Sequence, residues 1–264
     1  MTRPPDEWAV VSGSTHREPA GSGPGEGELG ERGPGESRLG ESYLGEGGPG
    51  EGRPVESRDA PRRVVLASRN DAKLVELRRI LAVAGLAVEL VALPDGPDVP
   101  ETGATFAENA LIKARDAARV TGLPAVADDS GLAVDALGGM PGVLSARWSG
   151  LLPGAGRAER DAANNALVLA QLADVPEERR GAAFVCAAAV VTPDGAEQVV
   201  HGQMCGRLVR VPRGDGGFGY DPLFLPDGQN RTSAELSPAE KDAISHRGRA
   251  FGQLAGVLRE LLAI

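Results

Sequence analysis

Four short stretches of the sequence concentrate residue types that act on phosphorylated ligands. The first is Ser68-Arg69-Asn70-Asp71-Ala72-Lys73, which follows an apolar run and opens a helical repeat. A strand-to-helix turn of this kind gathers free backbone N–H groups and the positive end of a helix at one point, which suits a phosphate. Ser68 and Asn70 add side-chain donors, and Lys73 adds a charge in the first turn. The glycines of the G-x-x-x-x-G-K-[ST] phosphate loop are absent, and the plain alternative is an asparagine cap followed by a solvated lysine. The second stretch is Asp128-Asp129-Ser130-Gly131. Two carboxylates ending an apolar strand are costly unless solvated, paired or bound to metal. Their side chains point to opposite faces, so only one is expected to face a given site, and a turn at Ser130-Gly131 is expected to lift them to the sheet edge. Magnesium is held by one or two carboxylates with substrate phosphates and water, and Glu101 is a candidate partner for this pair. A polar turn between two strands is the alternative.

The third stretch, Arg213 to Asp221, reads RGDGGFGYD. Gly214, Gly216 and Gly219 match G-x-G-x-x-G, but the following YDPLFL reads as extended, so the helix that a dinucleotide fingerprint requires is missing. A glycine-rich loop instead lets backbone approach a ligand, while Phe218 and Tyr220 offer aromatic faces to a base. With five Phe and two Tyr in the whole chain, two in one loop favour a ligand over a core explanation. The fourth stretch runs from Lys241 to His246 and Arg247, at the start of the last helical sequence, where it could grip a base carbonyl or phosphates. A solvated amphipathic helix is its plain alternative. His201 and His16 read as structural or solvent-exposed. Of the 28 basic residues three are lysines, Lys73, Lys113 and Lys241. In so arginine-rich a chain a retained lysine is a candidate for a place that wants a compact ammonium rather than a planar guanidinium, with chance among so few residues as the plain alternative.

The elements that must hold these stretches are readable from periodicity. RRVVLAS is a short buried strand, and Asn70 caps DAKLVELRRILAVAG, whose Leu74, Leu77, Ile80 and Leu81 share a face. Residues 86–92 form a second strand. Thr105 and Glu108 make a capping box for a helix that carries Ala107, Ala110, Leu111, Ala114, Ala117 and Ala118 on one side and stops near Gly122. PAVADD and SGLAVDAL are expected as two short strands and RAERDAANNALVLAQLA as a helix. AAFVCAAAVV and EQVVHGQMCGRLVRV form a hairpin around Pro193-Asp194-Gly195. A second capping box, Ser237 to Glu240, opens helical sequence that continues to the C-terminus. Strands and helices interleave, which implies an α/β fold around a mixed sheet.

Composition separates this body from what precedes it. The chain has 264 residues, 37 Gly, 20 Pro and a formal net charge of -9. Residues 1–60 hold 14 of the glycines, 7 of the prolines, 12 acids and 6 arginines, which leaves 25 acids against 22 bases for residues 61–264. Residues 21–54 repeat Gly-Glu and Gly-Pro irregularly without an apolar face, so residues 1–60 are expected to be disordered and 61–264 to form the catalytic domain. The G-x-G-x-x-G matches at Gly25, Gly27 and Gly30 and at Gly45, Gly47 and Gly50 are by-products of that composition. No apolar run reaches the ~18 residues that cross a membrane, and the N-terminus lacks the apolar core of a secretory signal. Cys186 and Cys205, without a CxxC pair, argue against a disulfide scaffold or a zinc site. The acidic balance lacks the footprint of a nucleic-acid binder. A soluble, cytoplasmic protein with no membrane or nucleic-acid partner is expected.

Five segments in order carry a specific resemblance: VLASRNDAK, ETGATFAENALIKA, PAVADDSGLAVDALGGMPGVLSARWSG, GGFGYDPLF and AELSPAEKDAISHRG. Together they resemble the family of pyrophosphatases for non-standard purine nucleoside triphosphates, the dITP/XTP or inosine triphosphate pyrophosphatases. The resemblance covers residues 63–262 and differs at Arg69 and Ala72, where family members carry glycine. It implies an α/β fold with an elongated mixed sheet flanked by helices, two lobes with the active site in the cleft between them, a homodimer, and Mg2+ as cofactor. It also implies that Ser68, Arg69, Asn70, Asp71, Ala72 and Lys73 bind the triphosphate. Asp129 resembles the proton acceptor and, with Glu101, the metal ligand, and Ser130 touches substrate. Phe218, Gly219, Tyr220, Asp221, Lys241, His246 and Arg247 resemble the base-recognition wall, and Lys113 reaches the phosphates. The implied reaction is magnesium-assisted hydrolysis between the α- and β-phosphates of dITP, ITP or XTP. A related pyrophosphatase for pyrimidine or modified nucleotides and a non-catalytic nucleotide-binding module are the rivals. Comparing dITP, XTP, dUTP and dTTP separates the first, and intact ITP after incubation with magnesium would mark the second.

Overall fold

A computed structural model describes residues 62–68, 71–150 and 153–263. Its six strands, β1 (Arg62–Leu66), β2 (Val88–Ala92), β3 (Ala125–Val134), β4 (Gly181–Val191), β5 (Glu197–Leu208) and β6 (Phe224–Pro226), form one sheet in the order β2-β1-β3-β4-β5-β6. β1 runs parallel to β2 and β3, and the remaining neighbours are antiparallel. The helices are α1 (Asp71–Val83), α2 (Phe106–Thr121), α3 (Arg157–Gln171), α4 (Pro238–Ile244) and α5 (His246–Leu262). The sheet is mixed and the class is α/β, as the interleaved pattern requires.

Strand alternation decides which helix covers which face. Along β4, Cys186, Ala188 and Val190 pack with Leu77 and Leu81 of α1 and Leu254 and Leu258 of α5. The intervening Ala187, Ala189 and Val191 pack with Ala110, Ala114, Ala117 and Ala118 of α2. β3 follows the same rule, with Val126 on the α1/α5 side and Ala125 and Ala127 on the α2 side. A third core gathers at the other end of β3, β4 and β5, where Leu132, Phe184, Leu208 and Tyr220 meet Val168 of α3 and Leu172, which caps that helix. The site lies where these two ends of the sheet meet.

Local signals account for most boundaries. Thr105 accepts a hydrogen bond from the Glu108 N–H at 3.1 Å, and α2 stops at Gly122 in a left-handed conformation. The β4–β5 hairpin turns at the expected place, with Gly195 at φ +92°.

Two expectations are corrected. PAVADD and SGLAVDAL are one continuous strand through Val134, paired to β4 from Ala125↔Val191 to Val134↔Ala182, and the following DAL is a 3-10 turn. No turn lies at Ser130-Gly131. Gly131 serves a close approach instead: a Cβ there would stand 2.3 Å from the Ser145 hydroxyl and 2.6 Å from the Gly142 carbonyl. The two carboxylates therefore sit in a central strand, not at a sheet edge. The C-terminal helical sequence is also broken at Ser245, whose extended backbone ends α4 and whose hydroxyl accepts from the Gly248 N–H to start α5.

Candidate active site

Because β3 runs straight through Asp128 and Asp129, alternation sends the two carboxylates to different helices. Asp129 faces α2. Asn109 donates to its Oδ2 at 3.1 Å, and Lys113 Nζ lies 3.2 Å from its Oδ1 and 2.7 Å from Glu101 Oε1. Asn109 and Lys113 are four residues apart and so share one face of the helix. The Asn109 amide oxygen also accepts from the Gly103 N–H at 2.8 Å. One buried side chain thus ties Asp129 to the loop that carries Glu101. Burial raises the Asp129 carboxyl above the ordinary carboxylate range; Lys113 opposes the shift, Glu101 reinforces it and the Asn109 hydrogen bond moderates it. For Lys113, burial works against the charge, but Asp129 and Glu101 outweigh it and raise its affinity for the proton.

Asp128 faces α1 and α5. Lys73 donates to both of its oxygens, at 2.9 and 3.0 Å, Arg247 donates to Oδ2 at 3.1 Å, and Ser130 donates to the same oxygen at 2.9 Å. Burial alone would raise this carboxyl, but the Lys73 and Arg247 charges hold it far below the usual range. Arg247 continues the chain of charges to Glu76 of α1 at 3.8 Å, and another of its nitrogens reaches the Ser130 hydroxyl at 3.1 Å. Neighbouring acids thus take opposite shifts. Asp129 has its proton affinity raised and Asp128 is held ionised.

A third group is aromatic. The Phe218 ring is half-buried and faces three cations, with Arg157, Lys241 and Arg247 at 4.4, 5.2 and 5.3 Å from its centroid. Asp221 accepts from the Phe218 N–H at 2.8 Å and pairs with Lys241. His246 is buried and stacks on Phe184 at 5.0 Å, and burial with the flanking Arg247 and Lys241 keeps its imidazole neutral. Tyr220 does not present a free ring as its loop position suggested. It is 4% exposed, belongs to the third core, and donates its hydroxyl to the Ser145 carbonyl at 2.9 Å.

Two cavities enclose these groups. One, of ≈ 380 Å³, is lined by Phe184, Phe218, Tyr220, His246, Arg157 and Asp129 among others. The second, of ≈ 420 Å³, has no aromatic lining and includes Ser68, Asp128, Asp98 and Arg147. Both share Lys73, Glu101 and Lys113. Ser68, Lys73, Glu101, Lys113, Asp129, Ser130, Phe218, Gly219, Tyr220, Asp221, Lys241, His246 and Arg247 are therefore brought to one connected space. Arg69 and Asn70 lie outside the described residues, and Asp71 and Ala72 are described only as the first backbone residues of α1.

The Ham1 family model matches residues 64–257. The chain belongs to the Ham1 family. A dITP/XTP pyrophosphatase of Frankia alni is 75% identical over 200 residues, covering 76% of this chain and 98% of that protein. One from Nocardia farcinica is 64% identical over 203 residues, covering 75% and 96%. Among solved structures, a HAM1 protein from Coxiella burnetii superposes with a TM-score of 0.66 at 44% identity, covering 75% of this chain and 99% of that one. A nucleoside-triphosphatase / dITP/XTP pyrophosphatase from Mycobacterium abscessus gives a TM-score of 0.60 at 59% identity, covering 73% and 98%.

Within this Ham1 chain several residues at the site were not singled out from the sequence: Arg147, Arg157, Asp161 and Phe184 line the cavities, and Asn109 and Glu76 stand behind them as partners of Asp129 and Arg247. Asn109 had a signal, a polar residue one turn before Lys113 on a helix whose other buried positions are all alanine. The others reach the site through long-range packing. Among the described residues no group of three or more His, Cys, Asp or Glu gathers as a ready metal cage. Glu101 and Asp129 do converge on one cation, Lys113, from two sides. Two carboxylates, completed by phosphate and water oxygens, are a donor set that suits Mg2+.

Proposed function

We propose that this chain hydrolyses dITP, ITP and XTP between the α- and β-phosphates, giving the nucleoside monophosphate and pyrophosphate. The observation that carries the reading is one cleft in which an aromatic, cation-flanked cavity joins a second, non-aromatic cavity through Lys73, Glu101 and Lys113. A purine suits the first and a triphosphate the second, and relatives named dITP/XTP pyrophosphatase are 60–75% identical to this chain. The proposal carries with it a homodimer in the cytoplasm, on the strength of the family. No helix among the described residues is long and apolar enough to cross a membrane.

In this reading the base stacks near Phe218, beside Lys241, His246 and Arg247, where the 6-oxo group of inosine or xanthine meets donors. A site that would leave a buried polar group unpaired with the wrong base discriminates strongly. Ser68 and the turn through Arg69, Asn70, Asp71, Ala72 and Lys73 bind the phosphates, with Lys113 neutralising their charge. Asp129 orients the attacking water and takes its proton, a task favoured by a carboxyl with raised proton affinity. Ser130 steadies the ionised Asp128 and thereby Lys73 and Arg247. Glu101 and Asp129 would hold Mg2+, which when bound polarises the phosphates and lowers the pKa of water.

Incubation with dITP and Mg2+ tests the reading, with products separated chromatographically. Deoxyinosine monophosphate and pyrophosphate in equal amounts are expected; release of orthophosphate, or intact dITP, overturns it. Among the described residues, those lining the two cavities run from Ala67 to Arg247. We therefore assign catalysis to residues 61–264, and a chain lacking residues 1–60 is expected to keep its kcat and KM for dITP. A large loss in that comparison would give the leader a part in the site.

A further inference from the structure

Phe218 sits between two glycines in left-handed conformations, Gly217 at φ +71° and Gly219 at φ +62°. Glycine loses more freedom on ordering than any other residue, so this loop has little preference of its own for one placement of the ring. Besides Asp221, which accepts from the Phe218 N–H, the placement comes from α3. The Asp161 carboxylate accepts from the Gly219 N–H at 2.8 Å, and the Asn165 amide donates to the Gly219 carbonyl at 2.9 Å. The two side chains are four residues apart, so one face of one helical turn grips both polar groups of a single residue. From the turn before, Arg157 places its guanidinium 4.4 Å from the Phe218 centroid and 3.9 Å from Asp161. Asp161 and Arg157 both line the aromatic cavity.

We propose that Asp161 and Asn165 are positioning residues for substrate recognition, holding Gly219 so that Phe218 presents its ring to the base. This rests on the assignment of the aromatic cavity to the base. Neither residue touches the carboxylate pair at Asp129 and Glu101, so the clamp acts on binding and base choice and not on the hydrolytic step. Arg157 completes the wall as a cation over the ring, where it favours an electron-rich partner in the cavity.

The test is steady-state kinetics of the full chain on dITP and dGTP. Asp161→Ala removes the acceptor, and KM for dITP is expected to rise roughly tenfold, as for loss of a charge-assisted hydrogen bond, with kcat changed less than about twofold. The preference for dITP over dGTP is expected to fall with it. Asp161→Asn keeps an oxygen that can accept from the Gly219 N–H and is expected to recover most of the loss. Asn165→Ala, which opens the other arm, is expected to raise KM in the same way and provides the test if Asp161→Ala does not fold. An unchanged KM in both alanine variants, a fall in kcat that matches the rise in KM, or failure of Asp161→Asn to recover overturns the clamp. Inactivity of the unaltered chain on dITP would overturn the assignment of the cavity itself, which keeps the two failures apart.

Discussion

Asp129→Asn is expected to lower turnover of dITP about 10³-fold, the scale of losing a positioned general base, while the protein remains folded. Asparagine has nearly the same shape and can still accept from Asn109 through its amide oxygen. The change removes charge and basicity but little packing. The stability side follows from the direction of the proton affinity. Burial raises the Asp129 carboxyl, so its ionised form is less favourable in the folded chain than in the unfolded one, and at neutral pH this ionisation opposes folding. A neutral side chain removes that opposition. In metal-free buffer the variant is therefore expected to melt at or above the temperature of the unaltered protein. Turnover near the original level would remove Asp129 from the assigned role, and loss of turnover with loss of the folded state would make it structural instead.

The residue pattern by itself did not separate the neighbouring aspartate from Asp129; only the family resemblance did. Alternation predicted opposite faces, and the structure keeps that rule. What the residues did not disclose was the identity of each face, because that depends on helices far along the chain: α2 meets Asp129, whereas α1 and α5 meet Asp128. The expected turn at Ser130-Gly131 failed for a related reason. Serine and glycine together signal a turn locally, yet Gly131 is there to admit Ser145, whose hydroxyl accepts from the Leu132 N–H at 2.9 Å. Tyr220 likewise looked like a base-facing aromatic beside Phe218 but is spent on the third core.

Features set by near neighbours were legible. The Thr105 cap of α2 (whose Glu108 carboxylate accepts from the Ala104 N–H instead of closing the expected box), the capping box at Ser237, the hairpin at Gly195 and the alanine face of α2 depend on residues within one or two turns. The three lysines all come to the cleft: Lys73 and Lys113 each meet a buried aspartate of β3 and Lys241 meets Asp221. The grip of α3 on Gly219 was not legible. Asp161 and Asn165 stand 58 and 54 residues from their partner, and on the helix they read as ordinary polar positions.

Asp128→Asn is expected to have the opposite outcome to the same change one residue later. Asp128 is 4% exposed and compensates Lys73 and Arg247 at once. Removing one partner of a buried ion pair costs roughly 3–5 kcal/mol, because the remaining charge is left without its counterion. For a folded unit of this size that corresponds to a fall of about 10 °C in the melting temperature. The pH dependence has a definite sign. The folded-state carboxyl is held far below its ordinary value, so its stabilisation is fully present above the unfolded value, near pH ~4, and is lost as the pH falls further. The gap in melting temperature between the unaltered protein and Asp128→Asn should therefore be constant from pH 8 to about 5 and narrow below about pH 4. Dissecting the pair gives a second check. Lys73→Met in the Asp128→Asn background removes one of the stranded cations, so the double variant should be destabilised by less than the sum of the two single changes. An additive double variant, or a single variant as stable as the original, would mean that Lys73 and Arg247 are solvated well enough without the carboxylate. The difference between two adjacent aspartates would then lie in the substrate alone.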